Sequence, residues 1–382
     1  MVAPRPQSVC VLGAGASGLA VIKELKEEGH HPTCFEHATA IGGVFHHKPD
    51  KPGGVYDNLY LTISNYHMAY SDFMPKGARF HWDHREYHAY LEDYCVHFDL
   101  TKHIQLGQQV VEIREQAEGG RRWRVTTKCV QSGELTDHAF DAVTICAGTN
   151  QIKKIPSLPG LDSFQGELYH ASDYKTNDKF SGKRVCVVGI GESSADIARE
   201  LSDIASECHL CLRSYPIILP RVGGWWNYLD SSDAFSSRLI ASSGFGTGVI
   251  KQLVTGMTLA FNALHWVCDC MLPARTTDAM RQDASAGMLD LNTPATPEAR
   301  SLIKTWSVTS LKRNGNRFYT KNATFVPNVV SGKLKVAPSP PSHQDCPAAL
   351  ALRTRPPTDP PILRGSREGA LRPCHHPRCA VF

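Results

Sequence analysis

The sequence predicts an α/β fold of two Rossmann-like units followed by a disordered C-terminal tail. Two glycine clusters, Gly13-Ala14-Gly15-Ala16-Ser17-Gly18 and Gly189-Ile190-Gly191-Glu192-Ser193-Ser194, each follow a short apolar run and precede a helix-forming stretch. Each is succeeded, roughly the 20 residues later that a Rossmann unit requires, by a charged residue closing a second apolar run. After Val336 the composition changes abruptly to proline and arginine.

The first run, Ser8-Val9-Cys10-Val11-Leu12, is short and β-branched, as a buried parallel strand requires. The turn after it needs glycine because the chain bends tightly and its backbone must approach a pyrophosphate, whose charge is met by helix N-terminal amides. His31-Pro32-Thr33-Cys34-Phe35 then leads to Glu36, a carboxylate suited to the ribose hydroxyls of an unphosphorylated adenosine, as in FAD or NAD. A Gly-, Pro-, His- and Tyr-rich loop from Ile41 to Arg79 follows, and Glu86 to Phe98 has helical spacing. Val110–Ile113, Trp123–Cys129 and Ala142–Cys146 read as strands, completing a first domain over residues 1–155.

The second unit begins at Arg184-Val185-Cys186-Val187-Val188. Beyond its glycines, His209-Leu210-Cys211-Leu212 leads to Arg213, a cation suited to a 2′-phosphate. The pair of charged residues therefore points to FAD in the first unit and NADPH in the second. The NADPH domain is expected over residues 156–324 with a helical insertion. Within it the apolar stretch Val249–Leu272 is broken by Lys251, Gln252, Asn262, His265 and Asp269, which predicts a buried or amphipathic helix and not a bilayer span. Phe325 to Val336 reads as strand, turn, strand, with residues 325–337 returning to the first domain. The tail over 338–382 holds ten prolines and few aromatics, too little apolar surface to fold.

Composition excludes several classes. A net charge of +4 on 382 residues provides no basic stripe for nucleic acid. The thirteen cysteines are odd in number and partly buried in strands, which predicts reduced thiols and a cytoplasmic location. The chain enters a strand too early for a secretory leader. Cys208-His209-Leu210-Cys211 and Cys374-His375-His376-Pro377-Arg378-Cys379 have metal-like spacing, but one lies on a strand and the other in the tail, so no metal is expected. His81, His84 and His88 read as a solvated helix start.

Between the glycine clusters lies Phe164-Gln165-Gly166-Glu167-Leu168-Tyr169-His170-Ala171-Ser172-Asp173-Tyr174, of the pattern F-x-G-x-x-x-H-x-x-x-Y. It resembles the identifying sequence of the flavin-containing monooxygenases, and the glycine clusters stand where that family has its FAD and NADPH fingerprints. Related Baeyer–Villiger enzymes usually carry Trp where Tyr174 stands, so the resemblance leans to the heteroatom-oxidising branch. It implies that Gly13, Gly15, Gly18, Glu36, Gly43 and Phe45 hold FAD and that Gly189, Gly191, Ser194 and Arg213 hold NADPH. It further implies that Phe164, Gly166, His170 and Tyr174 order the linker. The implied reaction reduces FAD with NADPH, forms a C4a-hydroperoxyflavin with O2, and passes one oxygen to a nitrogen or sulfur nucleophile of a small molecule.

Three departures accompany the resemblance. The family's Asn beside the flavin lies ten residues before the Asp of a motif here written Tyr70-Ser71-Asp72-Phe73, and that position is Thr62; the nearest Asn is Asn65. Phe45 stands where Trp is common, and Glu192 where Asn is usual. The segment that closes the family's FAD domain is replaced by the proline-rich tail. A non-catalytic nucleotide-binding form that acts through partner binding is therefore the alternative to an enzyme. A flavin disulfide reductase is disfavoured, because no closely spaced cysteine pair stands at a helix start beside the flavin.

Overall fold

A computed structural model gives the fold and describes residues 5–50, 53–76, 81–116, 122–149, 152–155, 161, 164–218, 296–314, 319–320, 323–337 and 378–381. The chain divides into two compact units, Met1–Lys153 and Lys154–Phe382. The stretch Val249–Leu272 and the cysteine–histidine cluster before Arg378 lie outside the described residues.

The first unit opens with β1 (Ser8–Leu12), α1 (Ala16–Glu27) and β2 (His31–Glu36). Strands β1 and β2 pair in parallel with Val11 opposite Cys34, so a crossover helix must join them, and α1 is that helix. It presents Gly18, Leu19, Ile22 and Lys23 to the interior at helical spacing. Leu19 and Ile22 are fully buried, each contributing about 1.5–3 kcal/mol of transfer energy. A short helix α2 (Asn65–Met68) precedes α3 (His84–His97). The latter starts at a capping box: Asp83 accepts from the Arg85 and Glu86 amides at 2.8 and 2.9 Å, and Glu86 accepts from the Asp83 amide at 2.9 Å.

Strand β3 (Ile104–Leu106) joins the outer edge of β2. Then β4 (Gln108–Glu115), β5 (Trp123–Cys129) and β6 (Leu135–Phe140) form an antiparallel meander. The chain returns as β7 (Ala142–Ile145) beside β1, giving the parallel order β3-β2-β1-β7. Two cores result. Val11, Leu19, Ile22, Tyr90, Leu91 and Tyr94 fill the helical side, while Cys10, Phe35, Val125 and Phe140 pack together against the meander strands.

The second unit contains β8 (Glu167–Tyr169), β9 (Arg184–Val188), α4 (Glu192–Ile204) and β10 (Glu207–Cys211). Ala195, Ile197, Ala198 and Leu201 are the buried face of α4. A two-stranded parallel pair, β11 (Ile217–Ile218) and β12 (Tyr319–Thr320), packs near α5 (Pro297–Asn314). Then come α6 (Val326–Val330), β13 (Leu334–Ala337) and β14 (Arg378–Val381). The sheet order is β13-β10-β9-β14-β8, with every pairing parallel.

Residues 325–337 correct the expected strand, turn, strand that would return to the first domain. Pro327, preset for the first turn of a helix, makes 326–330 helical, and β13 pairs with β10, Cys208 opposite Leu334. Asn328 Nδ2 reaches Ser202 Oγ at 2.6 Å and Lys335 Nζ reaches Glu207 at 2.7 Å, so the segment belongs to the second unit's sheet. Within the tail expected to lack structure, Arg378–Val381 forms a strand between β9 and β8; Cys379-Ala380-Val381 is a short apolar run suited to it. The remaining tail residues lie outside the described ones.

Candidate functional site

Both glycine clusters fold the same way, and each glycine has a separate cause. Gly13 has φ +95°, donates its amide to the Phe35 carbonyl at 2.9 Å, and would place a Cβ 2.7 Å from the Cys146 oxygen. A Cβ on Gly18 would fall 1.9 Å from the Gly13 carbonyl oxygen. These two are demanded by the fold itself. Gly189 repeats Gly13, with φ +108° and its amide on the Cys211 carbonyl at 2.9 Å.

Gly15 and Gly191 are different. They are the N-caps of α1 and α4, with φ −76° and −72°, values open to any residue. A Cβ on Gly15 would meet nothing nearer than the Gly43 Cα at 3.6 Å, and one on Gly191 nothing within 4 Å. Neither helix start carries a side-chain cap. The space a side chain would fill is left open in front of helix amides, the geometry that admits a pyrophosphate. The chain's own residues thus fit a dinucleotide at each cluster.

The charged partners follow from the two amide bonds. In the first unit the residue after Phe35 is Glu36, whose carboxylate accepts from the Ala14 amide at 2.8 Å and the Ala38 amide at 2.7 Å. In the second, the residue after Cys211 is Leu212, buried and uncharged, and Arg213 follows it exposed. Where the first cluster has the Glu36 carboxylate, the second has none and holds a guanidinium one residue on. That substitution suits a 2′-phosphate, which a carboxylate would repel. Ser194, in the first turn of α4, lies beneath the loop with its Oγ 3.6 Å from where a Gly189 Cβ would stand. Glu192 opens α4, at the helix end that favours an acid.

Gly43 (φ +59°) begins a single 3-10 turn, Gly43–Phe45, and would place a Cβ 3.1 Å from the Gly15 Cα. This turn is thereby pressed on the first cluster, and the Gly42 amide bonds to the Ala14 carbonyl at 2.9 Å. Phe45 meets Tyr87 of α3 edge-on at 4.5 Å. Thr62 is half-buried, and Asn65 is fully buried at the start of α2.

The linker residues act inside the second unit. Gly166 leads into β8, and Phe164 is half-buried just before it. His170 caps a 3-10 turn, its Nδ1 accepting from the Ser172 amide at 3.2 Å. Tyr174 is fully buried against Phe180, and its hydroxyl donates to Glu200 of α4. Tyr174 therefore braces the helix whose N-cap is Gly191.

Of the three histidines expected at a solvated helix start, His84 is fully buried and His81 nearly so, while His88 is half-buried. Burial, then the Arg85 cation, lowers the His84 pKa below the usual imidazole value. Among the described residues no cluster of His, Cys, Asp or Glu has the arrangement to hold a metal. The Tyr70–Phe73 motif has a role that its use as a spacing marker did not suggest: Tyr70 Oη donates to the Ala16 carbonyl at 2.5 Å, and Asp72 pairs with Lys23 at 2.6 Å, both on α1. The same Lys23 pairs with Glu27 at 2.7 Å, so one buried cation joins α1 to the motif. No described helix is long and apolar enough to cross a membrane.

A family model described as flavin-binding monooxygenase-like matches residues 6–241. A 4-hydroxybenzoate brominase (decarboxylating) of Marinomonas mediterranea is 46% identical over 215 residues, covering 56% of this chain and 40% of that protein. Flavin-containing monooxygenase 5 of Oryctolagus cuniculus is 35% identical over 265 residues, covering 67% and 48%. Among solved structures, the S-allyl-L-cysteine S-oxygenase of Allium sativum aligns with a TM-score of 0.52 at 27% identity, covering 56% of this chain and 52% of that one. The chain thus spans about half or less of the length of these relatives.

Proposed function

We propose, from the premise that the chain belongs to the flavin-binding monooxygenase-like family, that it is an NADPH- and FAD-dependent monooxygenase acting on a soft nucleophile of a small molecule. The observation that carries the reading is the asymmetry of its two glycine sites: Glu36 beside the first, Leu212-Arg213 beside the second. FAD, when bound, supplies the oxygen-activating chemistry, with NADPH as electron donor and O2 as the oxygen source.

The chain's own part is binding and orientation. The Gly13–Gly18 turn and the α1 amides receive the FAD pyrophosphate, and Glu36 receives the adenosine ribose while the Ala14 and Ala38 amides fix its carboxylate. Gly43 closes on the same loop, and Phe45 anchors its turn to Tyr87 of α3. Gly189, Gly191, Ser194 and Arg213 receive NADPH, with the guanidinium on the 2′-phosphate. Thr62 or Asn65 supplies a polar group beside the flavin; Thr62 is half-buried, whereas Asn65 is fully enclosed. Tyr174 braces α4 through Glu200, and Phe164, Gly166 and His170 order the segment that leads to it.

A nitrogen- or sulfur-bearing molecule is the first substrate class, supported by the likeness to the S-oxygenase of Allium sativum. The 46% identity to the Marinomonas brominase favours a second reading, in which a halide takes the oxygen atom. Oxygen-dependent NADPH consumption by the purified chain, measured with a tertiary amine, a thioether and bromide in turn, tests both. Faster turnover with the amine or thioether supports the first and a bromide-dependent rate the second. A chain that takes up no FAD contradicts both and leaves a nucleotide-binding protein that acts through a partner.

A further inference from the structure

His88 belongs to neither glycine fingerprint, yet it touches the turn that closes on the first one. It projects from α3, two residues beyond Glu86 of the capping box, and its Nε2 lies 3.0 Å from the Ile41 carbonyl oxygen. A carbonyl only accepts, so Nε2 carries the proton. The next residue, Gly42, has φ +103°, and a Cβ there would stand 2.5 Å from His88 Cδ2 and 2.8 Å from Nε2. The imidazole thus occupies the space that glycine leaves. On the far side of the same three residues, the Gly42 amide bonds to the Ala14 carbonyl at 2.9 Å and Gly43 packs on Gly15. Glu92 Oε2, at 3.7 Å from Nδ1, and the His46 ring, at 5.4 Å, flank the imidazole.

We infer that His88 is a positioning residue for the dinucleotide site of the first unit: by donating to Ile41 and filling the space over Gly42, it presses the Gly42–Gly43 turn against Gly15. The inference rests on the flavin reading for its consequence, and on this chain's geometry for the positioning itself. The donor at Nε2 carries the contact, because the turn's left-handed glycines have no side chains with which to hold themselves.

The test uses the whole chain with His88→Phe, His88→Ala and His88→Gln. Phenylalanine keeps the ring bulk without the donor, and glutamine keeps a donor near the Nε2 position. Hydrogen exchange of the peptide over residues 41–46 is read on the flavin-free protein, and FAD affinity by quenching of flavin fluorescence. Expected are exchange about tenfold faster and FAD about tenfold weaker in H88F and H88A, the effect of one neutral hydrogen bond, with H88Q close to the parent. Exchange over the α1 peptide stays unchanged. Parent-like exchange in H88F and H88A overturns the inference, as does an H88Q no better than H88F. If the unmodified chain takes up no FAD, the flavin reading fails, while the exchange arm still decides on His88.

Discussion

The Glu36 carboxylate accepts the Ala14 amide at 2.8 Å, so the acid at the end of the second strand is fixed by the glycine turn at the end of the first. A second amide, from Ala38, takes its other oxygen at 2.7 Å. Each oxygen keeps lone-pair capacity for a ribose hydroxyl. Glu36→Ala leaves both amides without this acceptor and removes the ribose contact. It should cost about 1–3 kcal/mol in stability and weaken FAD by more than about tenfold, with Glu36→Gln between the two. Chemical denaturation and flavin titration check this; an E36A chain with parent-like FAD affinity would sink the ribose assignment.

The cofactor preference of the second site rests on Leu212 and Arg213. Arg213→Ala is expected to weaken NADPH by about tenfold or more and leave NADH within about twofold, because only the former carries the phosphate that the guanidinium meets. Leu212→Glu should act in the same direction by repulsion. Equal losses for both nucleotides would contradict the 2′-phosphate assignment.

The glycines separate folding from binding. Gly13→Ala forces a Cβ to 2.7 Å from the Cys146 oxygen at φ +95° and should destabilise the first unit by about 1–3 kcal/mol. Gly191→Ala meets nothing within 4 Å and leaves φ at −72°, so melting should be unchanged while NADPH binding is lost. Thermal melting and nucleotide titration on both variants distinguish the two outcomes, and a G191A chain that binds NADPH normally would place the pyrophosphate elsewhere.

Glu207 gives a pH dependence. Burial raises its pKa, but bonds from Lys335, His209 and Arg184 outweigh that and bring it down to about 2 from the ordinary 4.5. A carboxylate with a depressed folded pKa stabilises fully above its unfolded value, and that stability is lost as pH falls toward the folded value. The parent should therefore lose stability relative to Glu207→Gln between about pH 4.5 and 2, and the two should differ by a constant amount above that window. A difference that is flat through the acid range would show that the cluster around β10 contributes nothing through charge.

Much of this was legible in residues. The runs 8–12 and 184–188 are rich in valine and form the parallel strands β1 and β9, and the runs 31–35 and 209–212, each leading to a charged residue, overlap the parallel strands β2 and β10. Glu36 and Arg213 were readable because a Rossmann unit fixes their spacing from the glycines. Strand β6 was not, since Thr136, Asp137 and His138 lack the apolar alternation; its pairing comes from β5, with Thr126 donating to Asp137 at 2.6 Å. The sheet that receives 325–337 depends on Lys335 meeting Glu207, a partner 128 residues away that no local pattern announces. His84 and His88 have the composition of a solvated helix start, and only contacts with the distant Asp57 and Ile41 carbonyls, at 3.2 and 3.0 Å, draw their rings inward.

Flavin content is the most direct test of the central claim, that the first glycine cluster holds FAD in this chain. The chain is purified, incubated with FAD, passed through a desalting column and read by its absorbance spectrum, then released by heat and identified by chromatography. The account predicts a yellow protein that retains FAD in proportion to its concentration and loses it in Glu36→Ala. A colourless chain that retains no flavin after saturation, while still binding NADPH, would contradict it.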